Sequence, residues 1–334
     1  MGIKNCVVNI DYESQLFDKD YTPLKYQKFN QALEHIFFYI NQDTNNFLQA
    51  KVNYTDVYLK SIEKLSFRTP QISSPNIAGE FSNWWGALND LPLEKKINSK
   101  IFSAQLASSL NLPMPKQWVV KELAQLQKHV ASFDSKNWLL RDPYKMSGQG
   151  AHKFKKDELN KNINLFQKIL NQQEMLLNVY CDRIVDLGFT FNLDQSLDEV
   201  FFIVNAIDER LTFAGGELYL NEEEFYKNYP AINFEKIMPE LRACLKKIVL
   251  HCQQLGAKGF LQIDTFVYRD ENNQIKFNPL VEINYRRTMG QLLYACKPLA
   301  QKKVVLRRVV DQNGFLGVNI SPPEFKHQIY VEII

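Results

Sequence analysis

Strand and helix signals alternate over 334 residues and predict an α+β or α/β protein of more than one lobe. Two further observations support this reading. The length exceeds what one compact core usually holds. Hydrophobic residues make up 45% and charged residues 23%, which places the chain with ordinary globular proteins rather than disordered or fibrous ones.

The N-terminal stretch, to residue 96, opens on a strand signal at 6–10. An apolar-periodic helix follows over 24–40, and residues 69–74, with Pro70 and the following Pro75, read as a loop. A helix over 93–107 stops before Asn111-Leu112-Pro113-Met114-Pro115. Strands at 117–120 and 137–141 flank a helix at 122–132. A polar loop (142–150), a helix (156–172) and strands at 175–180, 188–193, 199–207 and 216–220 come next. A helix over 234–255 precedes two strands, 260–268 and 274–284, that form a hairpin around Arg269-Asp270-Glu271-Asn272-Asn273.

The net charge of +3, with both signs mixed throughout, argues against nucleic acid or a membrane surface as partner. No apolar run reaches the roughly 18 to 20 residues that span a bilayer. Asp11, Glu13 and Asp18 do not fit a signal peptide, and Cys6 breaks the myristoylation pattern. The five cysteines lack metal-ligand spacing, so reduced thiols in a cytoplasmic protein are expected.

Two stretches carry chemistry. In the hairpin, side chains two apart share a face, so Glu282 and Asn284 point one way, with Arg286 where the strand extends that far, and Val281 and Ile283 point the other. Asp264 sits among large apolar residues on the partner strand. Two carboxylates and an amide on paired strands make an all-oxygen set suited to magnesium. Arg286 or Arg287 beyond it could supply fixed charge to phosphate oxygens. A surface hairpin with its polar residues in water is the competing reading. The second stretch is the strand ending in Arg141 and its loop with Lys145, Ser147, Gly148 and Gly150. Glycines let backbone N–H groups approach an anion. The spacings match neither a Walker A loop nor a dinucleotide fingerprint, and an ordinary exposed loop is the alternative.

Together, and in this order, the two stretches resemble the ATP-grasp superfamily. Arg141, Pro143, Ser147, Gly148 and Gly150 are similar to the strand and phosphate loop of its carbamoyl phosphate synthetase branch. Glu282, Asn284 and Arg286 match its Glu-x-Asn-x-Arg element, and Asp264 its first metal-binding acid. Asn98-Ser99-Lys100, a helix and Leu112-Pro113-Met114-Pro115 look like the start of the fold. The resemblance covers roughly residues 97 to 295. It implies an ATP-grasp unit of two α+β subdomains, a small lid subdomain with the phosphate loop (97–180) and a large one with the magnesium site (181–300), behind an N-terminal pre-ATP-grasp α/β lobe (1–96) and before a C-terminal extension (301–334). It also implies ATP with magnesium (manganese as the alternative ion) and a carboxylate activated as an acyl phosphate, then joined to an amine. The acceptor class, amino acid, peptide or biosynthetic precursor, stays open.

Carried over residue by residue, Asp264, Glu282 and Asn284 would hold the metal. Lys100, Arg141, Lys145, Ser147, Gly148 and Gly150 would hold phosphates. Asn178 and Val179 would form the adenine hinge, where the family usually has a glutamate. Asp186 is the ribose candidate, and Arg286 and Arg210 would face the transferred phosphate. Arg210 stands equally as a solvated turn residue. A nucleotide-binding regulatory protein without catalysis, favoured by Asn178, and a phosphotransferase on the same scaffold are the alternatives. Trp84 and Trp85 are expected in a core or lobe interface, His152 as a bystander, and Lys302, Lys303, Arg307 and Arg308 on a half-buried strand.

Overall fold

The computed structural model describes residues 4–17, 23–41, 43–68, 71–73, 81–145, 148, 150–195, 197–209, 212–309, 317–325 and 328–334. The chain forms two compact units. One contains residues 1–91, 214–228 and 286–334, the other 92–213 and 229–285.

The first unit holds a parallel four-stranded sheet in the order Gln71–Ile72, Asn46–Leu48, Lys4–Val7, Phe81–Asn83. The chain builds outward from Lys4–Val7 and then returns to its other side with Phe81–Asn83. The strand order therefore reverses between those two, and the loops at their C-terminal ends flank the reversal. Phe37, Phe38, Tyr39, Leu48, Ile62, Trp84 and Trp85 are buried, so both tryptophans are core residues, as expected.

A second set of strands, Phe213–Tyr219, Lys303–Val309, Gln328–Ile333 and Val318–Asn319, pairs antiparallel. Val304, Val305 and Leu306 are buried there, and Lys303 pairs with Glu217 at 3.1 Å. The Tyr39 and Tyr58 hydroxyls both donate to the Ile320 carbonyl, at 3.0 and 2.8 Å. Buried polar tips need such partners, and these tie the C-terminal stretch to the N-terminal helices.

The second unit contains two antiparallel sheets. One has the order Gln117–Val120, Met175–Val179, Asn137–Arg141, Ala151–Lys155. Val120, Trp138, Leu140, Phe154 and Leu177 pack on one face with Leu126 and Val130 of the helix Leu123–Ser132 and Phe166 and Leu170 of Ile163–Leu170. Against the other face lie Ile101 and Ala104 of the helix Lys100–Ser109, with Leu176 and Val119. The other sheet pairs Ile275–Asn284 with Phe260–Arg269, that strand with Asp182–Asn192, and Asp182–Asn192 with Glu199–Ile207. The helix Phe234–Gln254 buries Leu241, Leu245, Ile248 and Val249 and packs against Ile275–Asn284.

The structure corrects several boundaries. The helix expected over 93–107 is two helices, Leu91–Ile97 and Lys100–Ser109. Asn98 Nδ2 donates to the Glu94 carbonyl at 2.8 Å, and Ser99 Oγ accepts from the Phe102 N–H at 3.4 Å. Both side chains offer the backbone an alternative to a continuous helix. The helix expected over 156–172 is regular only at Ile163–Leu170. Before it lies the strand Ala151–Lys155 and two short 3-10 turns around Glu158, which accepts from the Lys155 N–H. The helix over 24–40 tightens at Glu34–Ile36 between Pro23–Leu33 and Phe37–Ile40.

All five cysteines are unpaired. Among the described residues no helix is long and apolar enough to cross a membrane.

Candidate functional site

Register decides what the hairpin presents. Asp264 is paired directly with Glu282, and Gln262 with Asn284. On the other side Asp264 pairs with Gly188, Gln262 with Thr190, and Phe266 with Asp186. Residues opposite one another on neighbouring strands share a face, so this face collects Glu282, Asn284, Gln262, Asp264, Thr190 and Asp186. Ile263, Ile283, Leu187 and Phe189 take the opposite face and are buried. The competing reading of a hairpin turned wholly to water fails, because Asp264 and Glu282 are only partly exposed.

Asp264 is held at both oxygens. Gln262 Nε2 donates to Oδ1 at 2.7 Å and Asn284 Nδ2 to Oδ2 at 2.8 Å. Gln262 Oε1 faces the buried Thr190 hydroxyl at 3.5 Å, which orients the amide. A Cβ on Gly188 would lie 2.7 Å from Gln262 Nε2, so a glycine there leaves room for that amide. Strand alternation could have found Gln262, two residues before Asp264. Nothing in the sequence marked Gly188.

Lys100, the first residue of its helix, brings the two sheets of this unit together. Its Nζ lies 3.1 Å from Glu282 Oε2 and donates to the Lys145 carbonyl at 2.8 Å, while its N–H donates to the Pro143 carbonyl at 2.9 Å. From the same region the Tyr285 N–H donates to Asn98 Oδ1 at 2.9 Å. Lys100 thus meets the Glu282 side chain and the Lys145 backbone carbonyl.

Arg141 is buried, and its Nε donates to Asn178 Oδ1 at 3.1 Å. Asn178 Nδ2 in turn donates to Gln117 Oε1 at 2.9 Å. Burial pushes the guanidinium down to about 10; the Glu282 charge opposes that shift and Arg183 adds to it. Asn178 therefore works first as a partner of Arg141, and Val179 follows it at the strand end.

Asp142 folds the loop back on itself. Its Oδ1 accepts from the Tyr144 and Lys145 N–H groups at 2.9 and 3.2 Å. The Asp142 N–H donates to the Gly150 carbonyl at 3.0 Å and the Ala151 N–H to the Gly148 carbonyl at 3.1 Å. Gly148 and Gly150 have φ of 71° and 68°, where a side chain is strained. Ser147 and Arg210 lie outside the described residues. Asp186 bonds Arg183 at 2.7 Å, and its carboxyl is raised by burial against the Arg183 charge. His152, which feels the Lys145 and Asp142 charges, is held neutral more readily by burial and by Lys145.

Arg286 belongs to the first unit, where its Nε donates to Glu13. Arg287 stacks on Trp84 at 4.6 Å and donates to the Trp84 carbonyl; burial lowers it to about 10.

Among the described residues no group of three or more His, Cys, Asp or Glu is placed to hold a metal. Asp264 and Glu282 with the Asn284 amide are instead a two-carboxylate set. Like charges directly opposite repel, and a hard cation taking one or two carboxylates, water and phosphate oxygens fits such a pair.

No protein-family model and no curated relative matches the sequence. Solved structures do match. N5-carboxyaminoimidazole synthetase from Staphylococcus aureus, complexed with ADP, has a TM-score of 0.54 and 12% identity over 100% of this chain and 94% of its own. The biotin carboxylase domain of Hydrogenobacter thermophilus 2-oxoglutarate carboxylase, with MgADP and bicarbonate, has a TM-score of 0.51 and 10% identity over 100% and 87%. Phosphoribosylamine–glycine ligase from Thermotoga maritima has 0.51 and 8% over 91% and 88%. The chain shares the fold of these three enzymes, the fold that the resemblance to the ATP-grasp superfamily implied.

Proposed function

We propose that this chain is an ATP- and magnesium-dependent enzyme that activates a substrate carboxylate as an acyl phosphate and joins it to an amine or similar nucleophile. The observation that carries the reading is the direct register of Asp264 with Glu282, with Lys100 on Glu282 and Arg141 within its electrostatic reach. ADP and MgADP in the similar structures support the nucleotide and the metal.

Asp264, Glu282 and Asn284 would hold magnesium, which when bound neutralises charge on the transferring phosphoryl group. Gln262 fixes Asp264 so that its remaining lone pairs keep one direction. Lys100, Arg141, Lys145 and the loop through Ser147, Gly148 and Gly150 would bind phosphate oxygens, and Asn178 aims Arg141. Asn178 and Val179 would border the base and Asp186 the ribose. Arg210 would balance charge on the transferring group. Positioning and electrostatics account for most phosphoryl transfer, so no side-chain base is required at this step. The substrate carboxylate attacks the γ-phosphorus, releasing ADP. The amine then attacks the acyl carbon and inorganic phosphate leaves.

The test is ADP release by Glu282→Gln with saturating magnesium and a pool of amino acids and small carboxylates. Loss of at least about a hundredfold with an unchanged melting profile is expected. Turnover at the parental rate overturns the assigned metal site. Product analysis separates an amide from a stable phosphorylated compound, and a pure binder releases no ADP.

A further inference from the structure

Arg141 ends its strand, and the next residue is an acid. Asp142 is 6% exposed at the root of the 142–150 loop. On charge alone it is a poor choice, since a carboxylate there repels any phosphate that the loop would bind. Its hydrogen bonds give it another purpose. Oδ1 accepts from the Tyr144 and Lys145 N–H groups, and Oδ2 accepts from Gln173 Nε2. A carboxylate, acceptor at both oxygens, suits such a set of donors. Gln173 lies 31 positions further on, between the helix Ile163–Leu170 and the strand Met175–Val179. Its own N–H donates to the Ile169 carbonyl at 3.2 Å. The root of the loop is therefore tied to a separate element of the same unit.

Gly150 belongs to this arrangement. A Cβ there would lie 2.7 Å from Asp142 Cβ and 3.1 Å from Lys145 Cδ. The missing side chain makes room for Asp142.

The consequence reaches Lys100. Lys145 is fixed at both ends, its N–H on Asp142 and its carbonyl on Lys100 Nζ at 2.8 Å. The same Nζ lies 3.1 Å from Glu282 Oε2. A lysine ammonium is a compact charge on a flexible stem, so its place depends on what holds it. With the Lys145 carbonyl in place it is shared between the loop and the acid. Without that carbonyl the attraction of Glu282 prevails and draws the charge away from the loop.

We infer that Asp142 is a positioning residue for the nucleotide: through the Lys145 carbonyl it keeps the Lys100 ammonium at the loop, and Gln173 holds Asp142. The inference rests on the ligase reading, which gives Lys100 to phosphate, and adds the two residues that set Lys100 in place. No contact with the nucleotide is assigned to either.

The experiment is a calorimetric titration of the full chain with ADP in magnesium-free buffer. Asp142→Ala and Gln173→Ala are each made in the wild type and in Glu282→Gln, where the competing acid is gone. In the wild type Asp142→Ala should weaken ADP about tenfold or more, and Gln173→Ala about threefold or more. In Glu282→Gln the same two substitutions should cost less than about threefold and twofold, because groups that act through a shared partner are not additive. A merely structural role predicts the same factor in both backgrounds. That result, or an ADP affinity unchanged by both substitutions, overturns the assignment. If Asp142→Ala does not fold, the Gln173→Ala pair decides. No ADP binding by the wild type would sink the nucleotide reading and this assignment with it. Wild-type binding with equal factors in both backgrounds sinks the assignment alone.

Discussion

Asp264 and Glu282 sit directly opposite one another on adjacent antiparallel strands, and amide donors occupy both oxygens of Asp264. Two carboxylates at that spacing repel, and Lys100 lies 3.1 Å from Glu282. Asp264→Asn relieves that repulsion but turns an N–H toward one of the two amide donors, so the metal-free stability should move by no more than about 1 kcal/mol in either direction. It should lose most of the melting-temperature gain that MgATP gives the parent, because ligand that binds only the folded state stabilises by mass action. Melting curves with and without MgATP check this; an equal gain in both proteins would sink the metal assignment.

Gly188 keeps the space in which Gln262 reaches Asp264. In Gly188→Ala the new methyl meets the tip of a side chain, not backbone, so Gln262 can swing aside at modest cost. The expected result is a melting temperature within a few degrees of wild type and a several-fold higher magnesium requirement for ADP release. A large loss of stability with an unchanged magnesium requirement would show that Gly188 serves packing alone.

Arg141 relies on Asn178. Removing the acceptor leaves a buried guanidinium short of a partner, so Asn178→Ala should destabilise by about 1.5 to 3 kcal/mol and weaken ATP binding. Asn178→Asp supplies a charged acceptor and should restore stability. Urea unfolding of the two variants distinguishes this from a role of Asn178 confined to the base, which would leave stability unmoved.

Glu34 and His35 are adjacent, buried and opposed in their titration. Burial raises the Glu34 carboxyl from 4.5 to about 7, against hydrogen bonds from the Lys51 and Val52 N–H groups and the Tyr54 hydroxyl. Its contribution to stability is thus complete below 4.5 and is lost as pH rises through about 7. Burial lowers His35 from 6.5 to about 3. Its contribution is complete above 6.5 and is lost as pH falls toward 3. Between 4.5 and 6.5 the two slopes offset one another. Glu34→Gln should leave a stability that rises with pH over this range. His35→Gln should leave one that falls, by a few kcal/mol in total. Chemical denaturation at pH 5, 6 and 7 reads both; parallel profiles for the two variants would contradict the opposed shifts.

The sequence by itself determined the paired strands around Asp264, Glu282 and Asn284, the basic strand end at Arg141 and the position of Lys100. Two-residue periodicity and local turn chemistry are short-range properties, and they suffice to place these residues on elements. Tertiary structure alone decided that Glu282 meets Lys100, that Asn178 is spent on Arg141 rather than left free, and that Glu13 takes Arg286. Those pairs are separated by 182, 37 and 273 positions, and a contact between distant positions depends on strand register and helix docking. The cradle at Gly188 belongs to the same class, because it depends on what packs opposite. The break at Asn98-Ser99 is different: it rests on local hydrogen bonds with Glu94 and Phe102, a capping pattern that the sequence itself carries.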